Sequence, residues 1–91
     1  MSAAISVMPT AGTASAAVLL GTFDRANRWF LTKHLRELDG DVVIDCRHVE
    51  SLDEASIGAL REFAHRAVAE KRRVVFRSLT PKLWAALSSA G

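Results

Sequence analysis

Val42-Val43-Ile44-Asp45, a short polar stretch, and then Asp53-Glu54-Ala55-Ser56-Ile57-Gly58-Ala59-Leu60 make up the passage that decides how this chain folds. The β-branched run reads as a strand buried on both faces. From Glu54 to Glu70, Ile57, Leu60, Phe63, Ala64, Ala67 and Val68 recur within one arc of a helix, with Glu54, Arg61, Glu62, His65 and Arg66 opposite. A strand therefore passes through a polar loop containing Ser51 into the start of an amphipathic helix. Unpaired backbone N–H groups and the positive end of the helix dipole meet at that junction. Ala55 is expected to face solvent there. Ser56, lying between Phe63 and Ala67 on the wheel, is expected to pack inward with its hydroxyl bonded to local backbone.

The flanking sequence supplies the rest of the fold. Ile5 to Met8 alternates like a short strand, Pro9-Thr10-Ala11-Gly12 carries turn chemistry, and Ala16 to Leu20 is a second apolar run bounded by Gly21. These two runs are expected to pair as an N-terminal hairpin. Asp24 to Leu38 reads as a helix capped by Asp24, with Leu31, Leu35 and Leu38 on one face and Phe30 at its margin; Asp39-Gly40 closes it. Val74-Val75-Phe76 reads as another central strand. Thr80-Pro81 opens a last helix whose core contacts are Leu83 and Leu87. This alternation predicts an α/β fold: a mixed, mostly parallel sheet of about four strands, with an N-terminal hairpin and three helices packed on it. Residues 1–91 read as one domain, with 1–15 forming a partly flexible strand and turn.

Composition narrows the function classes. The chain has 91 residues, twelve basic and ten acidic, for a net charge of +2. Its one basic run, Lys71-Arg72-Arg73, reads as a solvated helix end, because nucleic-acid footprints need a longer patch. The single cysteine, Cys46, allows no internal disulfide framework and suits a buried position in a reducing compartment. No window is long and apolar enough for a membrane span, and the N-terminus lacks a basic, then apolar, leader pattern. The expectation is a cytoplasmic protein without direct membrane insertion. His34, His48 and His65 fall on different elements, so no metal site is expected, and no catalytic motif or cofactor loop is present.

Several segments together resemble a known family. Gly21-Thr22-Phe23-Asp24 is similar to the Gly-x-x-Asp opening of STAS domains, the bacterial anti-sigma-factor antagonists. Val42 to Asp45, Val49, Leu52-Asp53 and Ile57-Gly58-Ala59-Leu60 resemble that family's central signature, an apolar strand ending in Asp followed by Asp-Ser-Ser/Thr-Gly-Leu/Ile-Gly at a helix start. Arg72 to Phe76 and Leu83 to Leu87 fall where the family has its last strand and helix. The resemblance implies a single STAS-like domain that acts as a non-enzymatic, protein-binding regulator in partner-switching signalling. Its implied partner is a serine kinase/anti-sigma factor, which makes the role one in transcription regulation. The alternative is an accessory STAS subunit on the ATPase of an ABC-type lipid-transport complex. Neither cofactor nor nucleic acid is implied; an exposed Trp29 or N-terminal strand edge would serve a homodimer.

In such families a kinase phosphorylates the second hydroxyl residue of the motif. Carried over, Asp53 matches the motif's Asp, Glu54 replaces its first Ser, and Ala55 stands at the phosphoacceptor position. Ser56 stands where the family has Gly, and Gly58 matches the second Gly. Alanine cannot carry phosphate, and a phosphate on an inward Ser56 would force a charge of about −1.5 to −2 into packed apolar surroundings. The expected partner surface is Asp53, Glu54, Ala55, Ser56, Gly58, Ala59, Arg61 and Glu62, with binding not controlled by phosphorylation at the motif. Glu54 suits the helix dipole, and its fixed charge would partly imitate a phosphorylated surface. Trp29, beside Arg25, Thr32, Lys33 and Arg36, reads as an interface anchor or as a residue covered by the N-terminal segment. Trp84 reads as a last-helix residue with one edge exposed.

Overall fold

A computed structural model of the chain describes residues 3–9 and 15–88. Its elements are β1 (Ala3–Pro9), β2 (Ser15–Phe23), a 3₁₀ turn (Arg25–Asn27), α1 (Arg28–Arg36), β3 (Val42–Leu52), α2 (Glu54–Ala69), β4 (Val74–Arg77) and α3 (Pro81–Ser88). The strands form one sheet in the order β1-β2-β3-β4. β1 and β2 are antiparallel, while β2–β3 and β3–β4 are parallel. This is the expected α/β architecture with its N-terminal hairpin. Most of the turn proposed for that hairpin, Thr10 to Gly12, lies outside the described residues.

The helices gather on one face of the sheet. Leu31, Leu35 and Leu38 from the α1 region and Leu60 and Phe63 from α2 close over Ala17, Leu19, Phe23, Val42, Ile44 and Cys46, with Phe76 and Leu87 packed at the margin. Strand β3 therefore alternates: Val42, Ile44 and Cys46 are buried while Val43 and Asp45 are only half-buried. The expectation of a strand buried on both faces is corrected, because a sheet covered by helices on one face needs apolar residues only at every second position. The central placement of β4 is corrected too. It pairs only with β3, stands at the sheet edge, and leaves Val75 49% exposed.

Other boundaries shift for local reasons. The polar stretch before α2 is not a loop: β3 continues to Leu52, pairing Leu20 with His48, Gly21 with Val49 and Phe23 with Leu52. The register slips between Val18 and Leu20 and again between Gly21 and Thr22, where Gly21 takes φ 89°. Such irregularities let polar residues extend a strand that periodicity alone breaks off. Asp24 caps the 3₁₀ turn through a capping box: Ala26 N–H donates to Asp24 Oδ1 at 3.0 Å, and Asp24 N–H to Asn27 Oδ1 at 2.8 Å. The α-helix proper begins only at Arg28 and ends before Leu38, which stays buried beyond it.

On α2 the buried arc is narrower than periodicity suggests. It centres on Ser56, Leu60, Phe63 and Ala67, and Val68 is 68% exposed. Val68 lies roughly 100° from Ala67 and so points off the sheet. Thr80 caps α3 as expected, its Oγ1 accepting from Leu83 N–H at 3.2 Å. Of that helix's two leucines, Leu87 packs against the core while Leu83 is half-buried, and Trp84 is 63% exposed. The Lys71-Arg72-Arg73 run is not simply solvated. Lys71 takes φ 62°, which turns the chain, and Arg72 reaches back to Gly40 O at 2.7 Å and Leu38 O at 2.6 Å over the Phe63 ring.

Candidate functional site

One residue, Asp53, separates the end of β3 from the start of α2, and it holds the corner together. Its N–H donates to Phe23 O at 3.1 Å, tying the end of β2 to the end of β3. Its carboxylate accepts from Ser56 N–H at 2.8 Å, an N-cap that satisfies a donor the helix cannot pair itself. That bond holds the Asp53 carboxyl below its usual value, and the nearby Arg25 backbone and guanidinium add to the lowering. The start of the 3₁₀ turn, with Arg25, thus sits beside the N-terminus of α2.

The two residues that decide the site face different ways. Ser56 is wholly buried and Ala55 is half-buried at the surface, as the wheel predicts. The Ser56 hydroxyl has no partner in hydrogen-bonding geometry among the described residues, which corrects the expectation that it bonds local backbone. It still lies close enough to the Asp53 carboxylate to act as a weak, poorly aligned hydrogen-bond donor, which adds a smaller part to the lowering of that carboxyl. Glu54 is exposed in the first helical turn, and Ser51 is exposed at the end of β3.

Ala55, Gly58, Ala59 and Glu62 line one wall of a trough whose other wall is Arg28, Thr32 and Arg36 of α1. The trough adjoins a half-open hollow of about 250 Å³ lined by Leu35, Asp39, Phe63, Glu70 and Arg72 among others. A Cβ built at Gly58 meets nothing within 4 Å, so the fold itself does not require glycine there. Arg61 is not part of this wall; it is half-buried on another flank, its shielded Nε without a partner among the described residues. Sequence reasoning noted Arg36 and Thr32 only as neighbours of Trp29 and missed Arg28. The basic residues of α1 recur at helical spacing, yet only the helix–helix packing puts them opposite Ala55 and Gly58. Trp29 is 72% exposed, with Lys33 Nζ 5.3 Å from its ring centroid.

Among the described residues no group of three His, Cys, Asp or Glu side chains is placed to hold a metal ion, and no helix is long and apolar enough to cross a membrane. Cys46 is 3% exposed; burial, helped by Asp45, pushes its thiol up to about 11, the opposite of an activated nucleophile.

Solved structures share this fold. "Structure of the Anti-Sigma Factor Antagonist SpoIIAA in its Unphosphorylated Form" aligns with TM-score 0.78 at 11% identity over 97% of this chain and 84% of that one. An antisigma-factor antagonist STAS domain from Rhodobacter sphaeroides aligns with TM-score 0.69 at 19% identity, covering 81% of this chain and 84% of that one. A structure titled "Crystal Structure Analysis of Mglu" aligns with TM-score 0.72 at 19% identity over 84% of this chain, which spans only 20% of that protein. No curated protein matches the sequence. The model of the family described as "Mlab, STAS domain" matches residues 10–91, which take in every element from β2 to α3 and the whole trough, so the chain belongs to the STAS domain family.

Proposed function

We propose that this chain is a non-enzymatic regulatory module that binds a partner protein through the start of α2, with binding that phosphorylation at the motif does not control. The observation that carries this reading is the pairing of an outward Ala55, which has no hydroxyl, with a Ser56 sealed from solvent. A kinase needs a reachable hydroxyl, and neither position offers one. The exposed Glu54 carries a fixed charge where the family's motif has a serine, so the surface partly imitates a phosphorylated one at all times. The partner of this reading is a serine kinase/anti-sigma factor, and the role is that of an antagonist in bacterial transcription control, in the cytoplasm.

The test is phosphate incorporation and partner capture with the same protein. Wild type is expected to take no phosphate at residues 53–58 from the partner kinase while still binding it, and Ala55→Ser is expected to become a substrate. Ala55→Arg is expected to lose the partner. Stoichiometric phosphate on Ser56 of the wild type overturns the reading, and Glu54→Ser with unchanged affinity removes the imitation. A second reading is an accessory subunit seated on the ATPase of an ABC-type lipid-transport complex. The matching family carries the name Mlab while two of the similar structures are named antagonists, which favours keeping both. Capture of an ATPase subunit in place of a kinase by the Ala55 surface decides for it.

A further inference from the structure

We propose that the trough between α1 and α2 docks an acidic helix of the partner, whose carboxylates meet Arg28 and Arg36 while its backbone lies over Ala55, Gly58 and Ala59. This rests on the reading of the chain as a protein-binding module and names the chemistry of what that surface binds.

The first argument is charge without compensation. The ion pairs among the described residues are Arg66–Glu62 and Arg72–Glu70, and they leave out Arg28 and Arg36. Arg28 opens α1, and neither that helix nor the preceding 3₁₀ turn has an acidic residue in its first turn. A cation at a helix N-terminus opposes the dipole, so the free chain gains nothing from Arg28 there. The second argument is Gly58. A glycine inside a helix weakens it relative to alanine, and here a Cβ would meet nothing within 4 Å. Its absence, together with Ala55 and Ala59, leaves the wall low between Ala55 and Glu62, where another backbone can approach opposite the arginines.

Spacing selects the occupant. Arg28 and Arg36 are eight residues apart on one helix, which is about 12 Å at the α-helical rise, too far for one phosphate or carboxylate to meet both. Acidic side chains two turns apart on a helix laid along the trough match that interval. Glu62 shares the α2 wall and Glu54 stands exposed beside it, so a nucleic acid's continuous row of phosphates would meet repulsion as well as attraction. A helix, by contrast, can set its carboxylates opposite Arg28 and Arg36 and turn uncharged residues toward Glu62.

The experiment uses a synthetic 20-residue alanine–leucine helix with glutamates seven residues apart, its lysine counterpart, and single-stranded dT20 as probes, read by amide chemical shifts of the full chain. The glutamate helix is expected to move the amides of Thr32, Ala55, Gly58 and Ala59. Arg28→Glu with Arg36→Glu, and separately Gly58→Leu, are each expected to weaken it at least tenfold with circular dichroism unchanged, and the charge-reversed variant is expected to take the lysine helix instead. Absence of shifts at these residues, indifference to the charge reversal, or equal binding of dT20 at the same residues overturns the proposal. A captured partner lost in Ala55→Arg but retained in the double arginine variant leaves the module reading standing and removes this one. A partner retained in both removes both.

Discussion

Ser56→Ala should stabilise the protein, and the reason lies in the geometry of one oxygen atom. The side chain is wholly buried and its Oγ meets no acceptor in good hydrogen-bonding geometry among the described residues, which leaves it only a weak, misaligned donation to Asp53. A buried polar group left unpaired costs about 1–3 kcal/mol, and alanine also exceeds serine in helix propensity by a few tenths, or about 0.5 kcal/mol. Against this, deleting a hydroxyl opens a void on the order of 10 Å³, worth about 0.2–0.3 kcal/mol, and removes the small support that the hydroxyl dipole gives Asp53. The main cap bond, from the Ser56 amide to Asp53, survives because it is a backbone donor. The balance favours the variant by about 1 kcal/mol, which at this chain length is a rise in Tm of about 4–8 °C. Thermal melts followed by circular dichroism, with urea titrations at neutral pH, measure it. A fall in stability beyond about 0.5 kcal/mol means that the hydroxyl has a partner the geometry does not give it, and the argument for a sealed, unused serine fails. Ser56→Asp supplies the opposite control: an uncompensated carboxylate at a site without solvent is expected to remove more than about 4 kcal/mol or abolish cooperative folding.

Asp53→Ala removes the α2 cap and is expected to cost about 0.5–2 kcal/mol near neutral pH. Because the folded carboxyl sits below its usual value of 3.8, that contribution is complete above the usual value and lost as pH falls through the lowered one, so wild-type and variant urea midpoints converge only in acid. Cys46 works the other way. Its thiol keeps its proton in the folded state up to about 11, against 9.0 for the ordinary group, so stability is full below 9.0 and declines above it, by up to about 2 kcal/mol near pH 10.5; Cys46→Ala should lack that decline in parallel alkaline titrations. Arg72→Ala removes donors to Gly40 O and Leu38 O and is expected to lower the free energy of unfolding, measured by urea titration, by about 1–3 kcal/mol, an effect that a merely solvated lysine-arginine run would not give. Gly58→Ala should raise the melting temperature, by up to about 1 kcal/mol of helix propensity, since nothing stands where its methyl would go.

The α/β order was legible because Val42 to Ile44, the α2 arc and the Thr80-Pro81 cap each carry local signals that point the same way. The different orientations of Ala55 and Ser56 were legible for the same reason, since adjacent residues of a helix differ by 100° wherever it packs. Sheet order was less so. Val74-Val75-Phe76 has the composition of a central strand, and only pairing shows that no strand of the described residues lies beyond it, with Val75 exposed. The extension of β3 through His48, Glu50 and Ser51 was hidden because those polar residues follow no apolar alternation; their strand state comes from pairing with β2 across two register slips. Arg72 looked like surface charge because its partners, the carbonyls of Leu38 and Gly40, are backbone atoms that any sequence would offer. The trough is tertiary in the strictest sense: neither wall is distinctive until α1 lies against α2.

Placing Ala55 and Arg28 in the same trough gives the missing hydroxyl a second consequence. A phosphate at position 55 would bring a charge of about −1.5 to −2 and three acceptor oxygens to the end of the wall facing Arg28. In a chain with serine there, that group would compete for the very guanidinium that an acidic partner needs, so phosphorylation would act by occupying the arginine as well as by altering the helix start. With alanine the competitor never forms. Arg28 and Arg36 form no ion pair among the described residues, and on the proposed reading the affinity of the trough is then set by salt, by Glu62 on the facing wall and by the partner's carboxylates. On the proposed reading, alanine at position 55 leaves no acceptor for phosphate and also keeps the surface open. Ala55→Ser, once phosphorylated, should lose the glutamate helix to about the extent that Arg28→Glu does, whereas unmodified Ala55→Ser should bind it as the wild type does. Equal binding by the modified and unmodified forms would separate position 55 from the arginines and break this link.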